Sequence, residues 1–141
     1  MKNSELQSSV SYLIVQIAKL HRQEISTRFS KLGIHVGQDM ILMALWEKDG
    51  ITQSEIIRSL NVEPPTITKM INRMEKTGLL ERRRDSTDAR VSRIFLTEKG
   101  RRLKQQVVQS WSDIEEQILQ GLTSEERLNL KEQLSYLKRQ L

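Results

Sequence analysis

The 141-residue sequence predicts a mainly α-helical fold that carries one small β-hairpin. Three observations predict it. Apolar residues recur at helical spacing along most of the chain. Two short helical stretches, over 52–60 and 64–77, stand only a few residues apart. After Gly78 the helical period gives way to two short segments around a turn rich in Asp, Ser and Thr.

Each element follows in chain order. Leu6, Val10, Leu13, Ile14, Ile17, Leu20, Ile25, Phe29 and Leu32 mark one long helix over about 5–31, stopped near Gly33. Met40, Ile41, Met43, Ala44, Leu45 and Trp46 form an almost continuous apolar run. It suits a helix over about 37–48 that is buried on most sides. Thr52-Gln53-Ser54-Glu55 fits a capping box, and Ile56, Ile57 and Leu60 continue it as a short helix. Pro64-Pro65 suits a first helical turn, where a missing N–H has no partner to lose. Ile67, Met70, Ile71 and Met74 then give a clean core stripe that ends at Thr77-Gly78. Leu79 to Arg84 and Val91 to Leu96 read as the two hairpin strands. Thr97 caps a long helix over about 98–120, with Leu103, Val107, Trp111, Ile114 and Ile118 along its apolar edge. Gly121 breaks it, and Thr123 to Glu126 form a second capping box. Leu130, Leu134, Leu137 and Leu141 form the seam of a last helix.

A helix pair joined by a short turn and followed by a hairpin is a winged helix-turn-helix. It spans 35–97 here, with helices at 1–34 and 98–141 on either side, in a single domain of ordinary size. The charge is concentrated in the same central region. Residues 1–63 carry seven basic and seven acidic side chains, residues 64–104 twelve and five, and residues 105–141 four and six. The whole excess of +5 therefore comes from the middle block. A concentrated positive charge is an electrostatic footprint for a polyanion.

The second helix of the pair carries the expected contacts. With Ile67 toward the core, Pro65, Lys69, Asn72 and Lys76 fall on the far side at about 100° per residue. Thr66, Thr68 and Arg73 flank them, and none of the seven is a carboxylate. Hydroxyl, amide and cationic donors of this kind meet phosphates and base edges in a major groove. An ordinary solvated helix face is the plainer alternative.

The turn Arg82-Arg83-Arg84-Asp85-Ser86-Thr87-Asp88-Ala89-Arg90 is the densest run of charge. Asp and Ser favour a tip because their side chains bond nearby amides. An arginine there can enter the minor groove, whose potential is negative. It needs a fixed direction, which a bidentate pair with a carboxylate supplies. Arg90 is therefore expected to be the probe and Asp88 its orienter. Arg82, Arg83, Arg84 and Arg93 are expected as phosphate contacts or flanking field. A solvated charged turn is the alternative.

The stretch Asp85 to Arg90, leading to Ile94-Phe95-Leu96-Thr97-Glu98-Lys99-Gly100, resembles the D-x-R wing signature of the MarR family of transcriptional regulators. Ile71 to Leu80 is similar to the end of that family's recognition helix. Gln38, Leu42 and Leu45 are similar to its second-helix pattern. The resemblance covers nearly the whole chain. It implies a homodimer with interlocked terminal helices, two winged domains facing one side of the DNA, and often a small-molecule pocket between the dimerisation helices and the winged domain. The apolar stripes of the terminal helices make the same demand for a partner, since one small domain cannot bury them all.

Other classes find less support. The sequence has no cysteine, so thiol-based oxidant sensing, known in some members of the family, is excluded. His21 and His35 have no metal-ligand spacing, and no metal or cofactor is expected. No Ser/His/Asp set, phosphate-binding glycine loop or paired-acid motif points to an enzyme. Trp46, Trp111 and the methionines at 40, 43, 70 and 74 are expected in the core, although Trp46, Tyr12 and Trp111 can also line a pocket. The N-terminus shows no signal peptide pattern and no run suits a membrane span, so a cytoplasmic protein is expected. The expected function is a dimeric, sequence-specific regulator of double-stranded DNA, most often a repressor in this family. A winged helix used only for protein assembly is the alternative.

Overall fold

The structure, a computed structural model, describes residues Met1–Leu141. Eleven elements follow one another: α1 (Asn3–Gln7), α2 (Val10–Ser30), α3 (Gln38–Glu47), β1 (Ile51–Thr52), α4 (Gln53–Leu60), α5 (Pro64–Lys76), β2 (Leu80–Arg84), β3 (Ser92–Leu96), α6 (Glu98–Arg102), α7 (Lys104–Leu119) and α8 (Ser124–Arg139). This is a winged helix carried between terminal helices.

The local chemistry explains the element ends. In α4 the Thr52 hydroxyl accepts from the Glu55 amide at 3.1 Å and the Glu55 carboxylate accepts from the Thr52 amide at 3.4 Å. The same reciprocal pair starts α8 at Thr123 and Glu126. Asn61 closes α4 in the left-handed region, and Pro64 and Pro65 open α5 three residues later. Gly78 ends α5 at φ 78°, where a side chain would be strained.

Three features depart from the sequence expectations. The first helix is broken, because the Ser9 hydroxyl accepts from the Tyr12 amide and begins a new helix there. The helix after Thr97 is interrupted at Leu103, which separates α6 from α7. The hairpin gains a third strand: β1 pairs antiparallel with β3, giving the order β1-β3-β2. Ile51 lies opposite Ile94, and Arg82 lies opposite Ile94 on the other side. A two-residue strand has too little length for an alternating pattern to show in sequence.

The core runs through the winged domain and into the terminal helices. Ile41, Leu42 and Leu45 of α3 meet Ile56, Ile67, Ile71, Met74, Ile94 and Leu96 in one cluster. Ile25 and Phe29 of α2, and Leu103, Val107 and Ile114 around α7, join it. Truncating a buried Ile or Met of α5 to Ala costs about 2–5 kcal/mol. That anchoring fixes which face of α5 points outward. Met74 is buried, but Met40 and Met43 are exposed, so only part of the methionine set is core.

The far ends are less complete. Leu6, Val10, Leu13, Ile14, Ile17 and Leu20 are exposed on α1 and α2, as are Leu134 and Leu137 on α8. Helix α8 buries none of its residues. No helix is long and apolar enough to cross a membrane.

Candidate nucleic-acid interface

Helix α5 presents Pro65, Thr66, Lys69, Asn72, Arg73 and Lys76 to solvent. The side chains of Lys69, Arg73 and Lys76 make no hydrogen bond or ion pair within the chain, as the side-chain bonds of this outer part of α5 involve Thr68, Asn72 and Glu75 instead. Their charges are free for an external anion.

Thr68 is the exception on this helix. Its hydroxyl donates to the Pro64 carbonyl at 3.0 Å and accepts from Gln53 Nε2 at 2.8 Å. It fastens α5 to α4, and its expected part as a DNA contact stands beside that structural one. Gln53 extends the link, because its Oε1 accepts from Arg82 Nη1 at 3.1 Å. The second Arg82 amino group bonds the Asn72 side-chain oxygen, and Glu75 lies 3.6 Å from Arg82 Nε. One hydrogen-bonded chain thus joins α4, α5 and β2. It holds Asn72 by its oxygen and leaves the amide nitrogen without a partner in the chain, a group able to donate to an acceptor on a base or phosphate.

The wing sorts its arginines into two groups. Arg93 donates through Nε to Asp85 at 2.6 Å and through Nη1 to the Gly50 carbonyl at 2.9 Å. It ties the turn to the loop before β1, a structural part alongside the phosphate contact expected of it. Arg82 is engaged in the chain already described. Arg83 pairs with Glu81 and lies 4.3 Å from the Phe95 ring centroid. Neither Arg82 nor Arg83 is a free cation. Arg84 and Arg90 remain exposed, and Arg84 has no partner in the chain.

Arg90 and Asp88 form a forked pair. Arg90 Nε donates to Asp88 Oδ1 at 3.1 Å and Nη2 to Oδ2 at 3.3 Å. The Arg90 side chain is nevertheless 91% exposed. The fork therefore sets its direction without burying its charge. Asp85 organises the turn behind it, accepting from Thr87 and from the Asp88 amide at 3.1 Å. The Arg93 guanidinium and the Thr87 hydroxyl hold the Asp85 carboxyl well below the usual carboxylate range. Arg90 lowers Asp88 in the same way, through its side chain and then its backbone amide.

Sequence reasoning missed Gln53 as a binding element of the site. Its motif read only as a helix cap, and its partners lie 15 and 29 residues away. Trp111, expected in the core or at a pocket, lies tilted against His21 with ring centroids 5.1 Å apart, donates to the buried Asp39 at 3.1 Å, and lines a cavity of about 540 Å³ with Lys19, Arg22, Ile25 and Met40. No three metal-ligating side chains come together anywhere in the chain.

A winged helix with a cation-bearing recognition helix and a directed arginine at the wing tip defines a DNA-binding transcriptional regulator. The MarR family model matches residues 34–92. The organic hydroperoxide resistance transcriptional regulator of Bacillus subtilis (strain 168) is 32% identical over 133 residues, spanning 94% of this chain and 87% of that protein. This chain belongs to the MarR family. Among solved structures, the transcriptional regulator SlyA superposes with a TM-score of 0.84 at 26% identity, covering 94% of this chain and 93% of that one. The MepR–DNA complex of S. aureus superposes with a TM-score of 0.81 at 25% identity, covering 94% and 96%.

Proposed function

We propose that the protein is a homodimeric repressor that binds a pseudo-palindromic site in double-stranded DNA and is released by a small organic ligand. The observation that carries this reading is the pairing of the free cations of α5 with the exposed, carboxylate-directed Arg90. Helix α5 suits the major groove and Arg90 the flanking minor groove. The solved MepR–DNA complex supports DNA as the partner of a chain of similar fold.

Dimerisation rests on the apolar residues that α1, α2 and α8 leave uncovered. Soluble monomers rarely expose a continuous apolar surface of more than a few hundred Å². A two-fold partner laid on these helices would set two α5 helices about one turn of DNA apart. The Trp111 cavity supports the ligand, since its 540 Å³ falls within the usual range of about 300–1,000 Å³ for small-molecule sites. It lies where α2, α3 and α7 meet, so an occupant would change how the winged domain sits on the terminal helices. A hydroperoxide-resistance relative suggests an oxidant as one effector to try, but a thiol switch is closed to a chain without cysteine.

Selection of genomic fragments with the purified protein, at low and near-physiological salt, tests the reading. Recovery of a shared inverted repeat at the higher salt supports it, and increased transcription beside that repeat on deletion of the protein supports repression. Recovery of unrelated fragments only at low salt overturns it in favour of a protein-interaction module.

A further inference from the structure

Gln38 opens helix α3 and is 3% exposed, which is unusual for an amide. Its Oε1 accepts from the His35 backbone amide at 3.1 Å. That bond fixes the orientation of the group, so its Nε2 points the other way. Nε2 donates to nothing in the chain, as the His35 contact is the side chain's only hydrogen bond. It opens into a cleft of about 230 Å³ whose other walls are Thr66, Lys69, Met70 and Arg73 of α5.

The cleft is narrow for a reason. Gly37 stands at φ 100°, and a Cβ there would lie 2.7 Å from Met70 Cε. The start of α3 therefore presses directly on α5. Asp39, the nearby carboxylate, is turned away and satisfied by the Gly37 amide and by Trp111. The cleft walls hold two unpaired cations, a hydroxyl, an amide donor and no carboxylate. Its volume is below the range for organic ligands. An anion with several acceptor oxygens and no bulk fits these donors.

We infer that this cleft seats one backbone phosphate of the DNA duplex in each half-site, held by Gln38 Nε2 and the Thr66 hydroxyl and neutralised by Lys69 and Arg73. The inference rests on the DNA-binding reading above and assigns Arg73 to phosphate rather than to a base. A phosphate contact fixes register and is blind to sequence. Gln38 would thereby reference α5 to the DNA through α3, the helix on which the Trp111 cavity also opens.

The test uses the full-length protein on a random-sequence 30-base-pair duplex (a length chosen to exceed about two helical turns) and on a fragment recovered by selection. Gln38→Met keeps length but removes the donor together with the acceptor for the His35 amide, and Gln38→Glu keeps that acceptor and replaces the donor by a carboxylate oxygen. Affinity is expected to fall about tenfold per half-site, about a hundredfold for a dimer seated on both, for Gln38→Met on both duplexes, as for a lost hydrogen bond to a charged group. The slope of log K against log salt stays as in the wild type for Gln38→Met, which carries no charge, and falls by about 1 per half-site for Arg73→Met. Gln38→Glu weakens binding further, and melting temperatures of both variants separate a lost DNA contact from a folding defect. In phosphate-ethylation interference, one blocking position per half-site is lost in both Gln38→Met and Arg73→Met. Wild-type affinity in Gln38→Met, or an unchanged interference pattern, overturns the phosphate seat while leaving DNA binding intact. A wild-type protein that binds neither duplex overturns this inference and the regulator reading together.

Discussion

Replacing Gln53 with Ala removes both bonds that join α4 to its neighbours: the donor to Thr68 and the acceptor for Arg82. A net intramolecular hydrogen bond contributes about 0.5–1.5 kcal/mol. Both are half-exposed, so the two together contribute about 1–3 kcal/mol. Alanine is the better helix former by a few tenths of a kcal/mol, which offsets part of that. Thr68 keeps Pro64, and Arg82 keeps Asn72 and Glu75, so no group is stranded. The expected net loss is about 1–2 kcal/mol. In a chain of this size that lowers Tm by about 5 °C. Gln53→Glu keeps the acceptor for Arg82 and loses only the donor, so it should lose roughly half as much. The assay is thermal unfolding by circular dichroism at one protein concentration, since a dimer's Tm depends on it. A Tm within about 1 °C of wild type for Gln53→Ala would refute the coupling of α4, α5 and β2 through Gln53.

Further expectations concern the wing and the terminal helices. Arg90→Ala should leave Tm unchanged, because a surface pair contributes little, yet weaken binding to a selected fragment by about 5–100-fold; equal affinity would remove the wing tip from the interface. Asp85 and Asp88 are held below their ordinary value of 3.8 by arginine partners. Their stabilisation is therefore complete above about pH 4 and lost only as pH falls through the lower folded values. Carboxyl-carbon titration by NMR should give midpoints below 3.8 for both, and a midpoint at or above that would contradict the Arg90 and Arg93 pairs. Leu134→Asp on α8 should shift the sedimentation coefficient to that of a monomer while leaving a folded winged domain; an unchanged coefficient would place the subunit contact elsewhere.

The local grammar of the chain was written in short range. Thr52 and Glu55, Pro64 and Pro65, Gly78, and Thr123 with Glu126 all mark element ends that the structure keeps, because caps and turns depend on residues a few positions apart. The periodic stripe of Ile67, Met70, Ile71 and Met74 determined which face of α5 is buried, and hence that Lys69, Asn72, Arg73 and Lys76 face outward. The Asp88–Arg90 fork was legible for the same reason, being two residues long. Tertiary structure decided the rest. Which cations are free cannot be read from a run such as Arg82-Arg83-Arg84-Asp85, since Arg82 finds Gln53 and Asn72 on other elements and Arg93 reaches back to Gly50. The buried Gln38 and Trp111's place at a cavity likewise depend on packing between helices far apart in sequence. Helical period and capping are properties of neighbouring residues and survive in sequence, whereas the partner of a long polar side chain is set by which surfaces the folded core brings within about 3 Å of it.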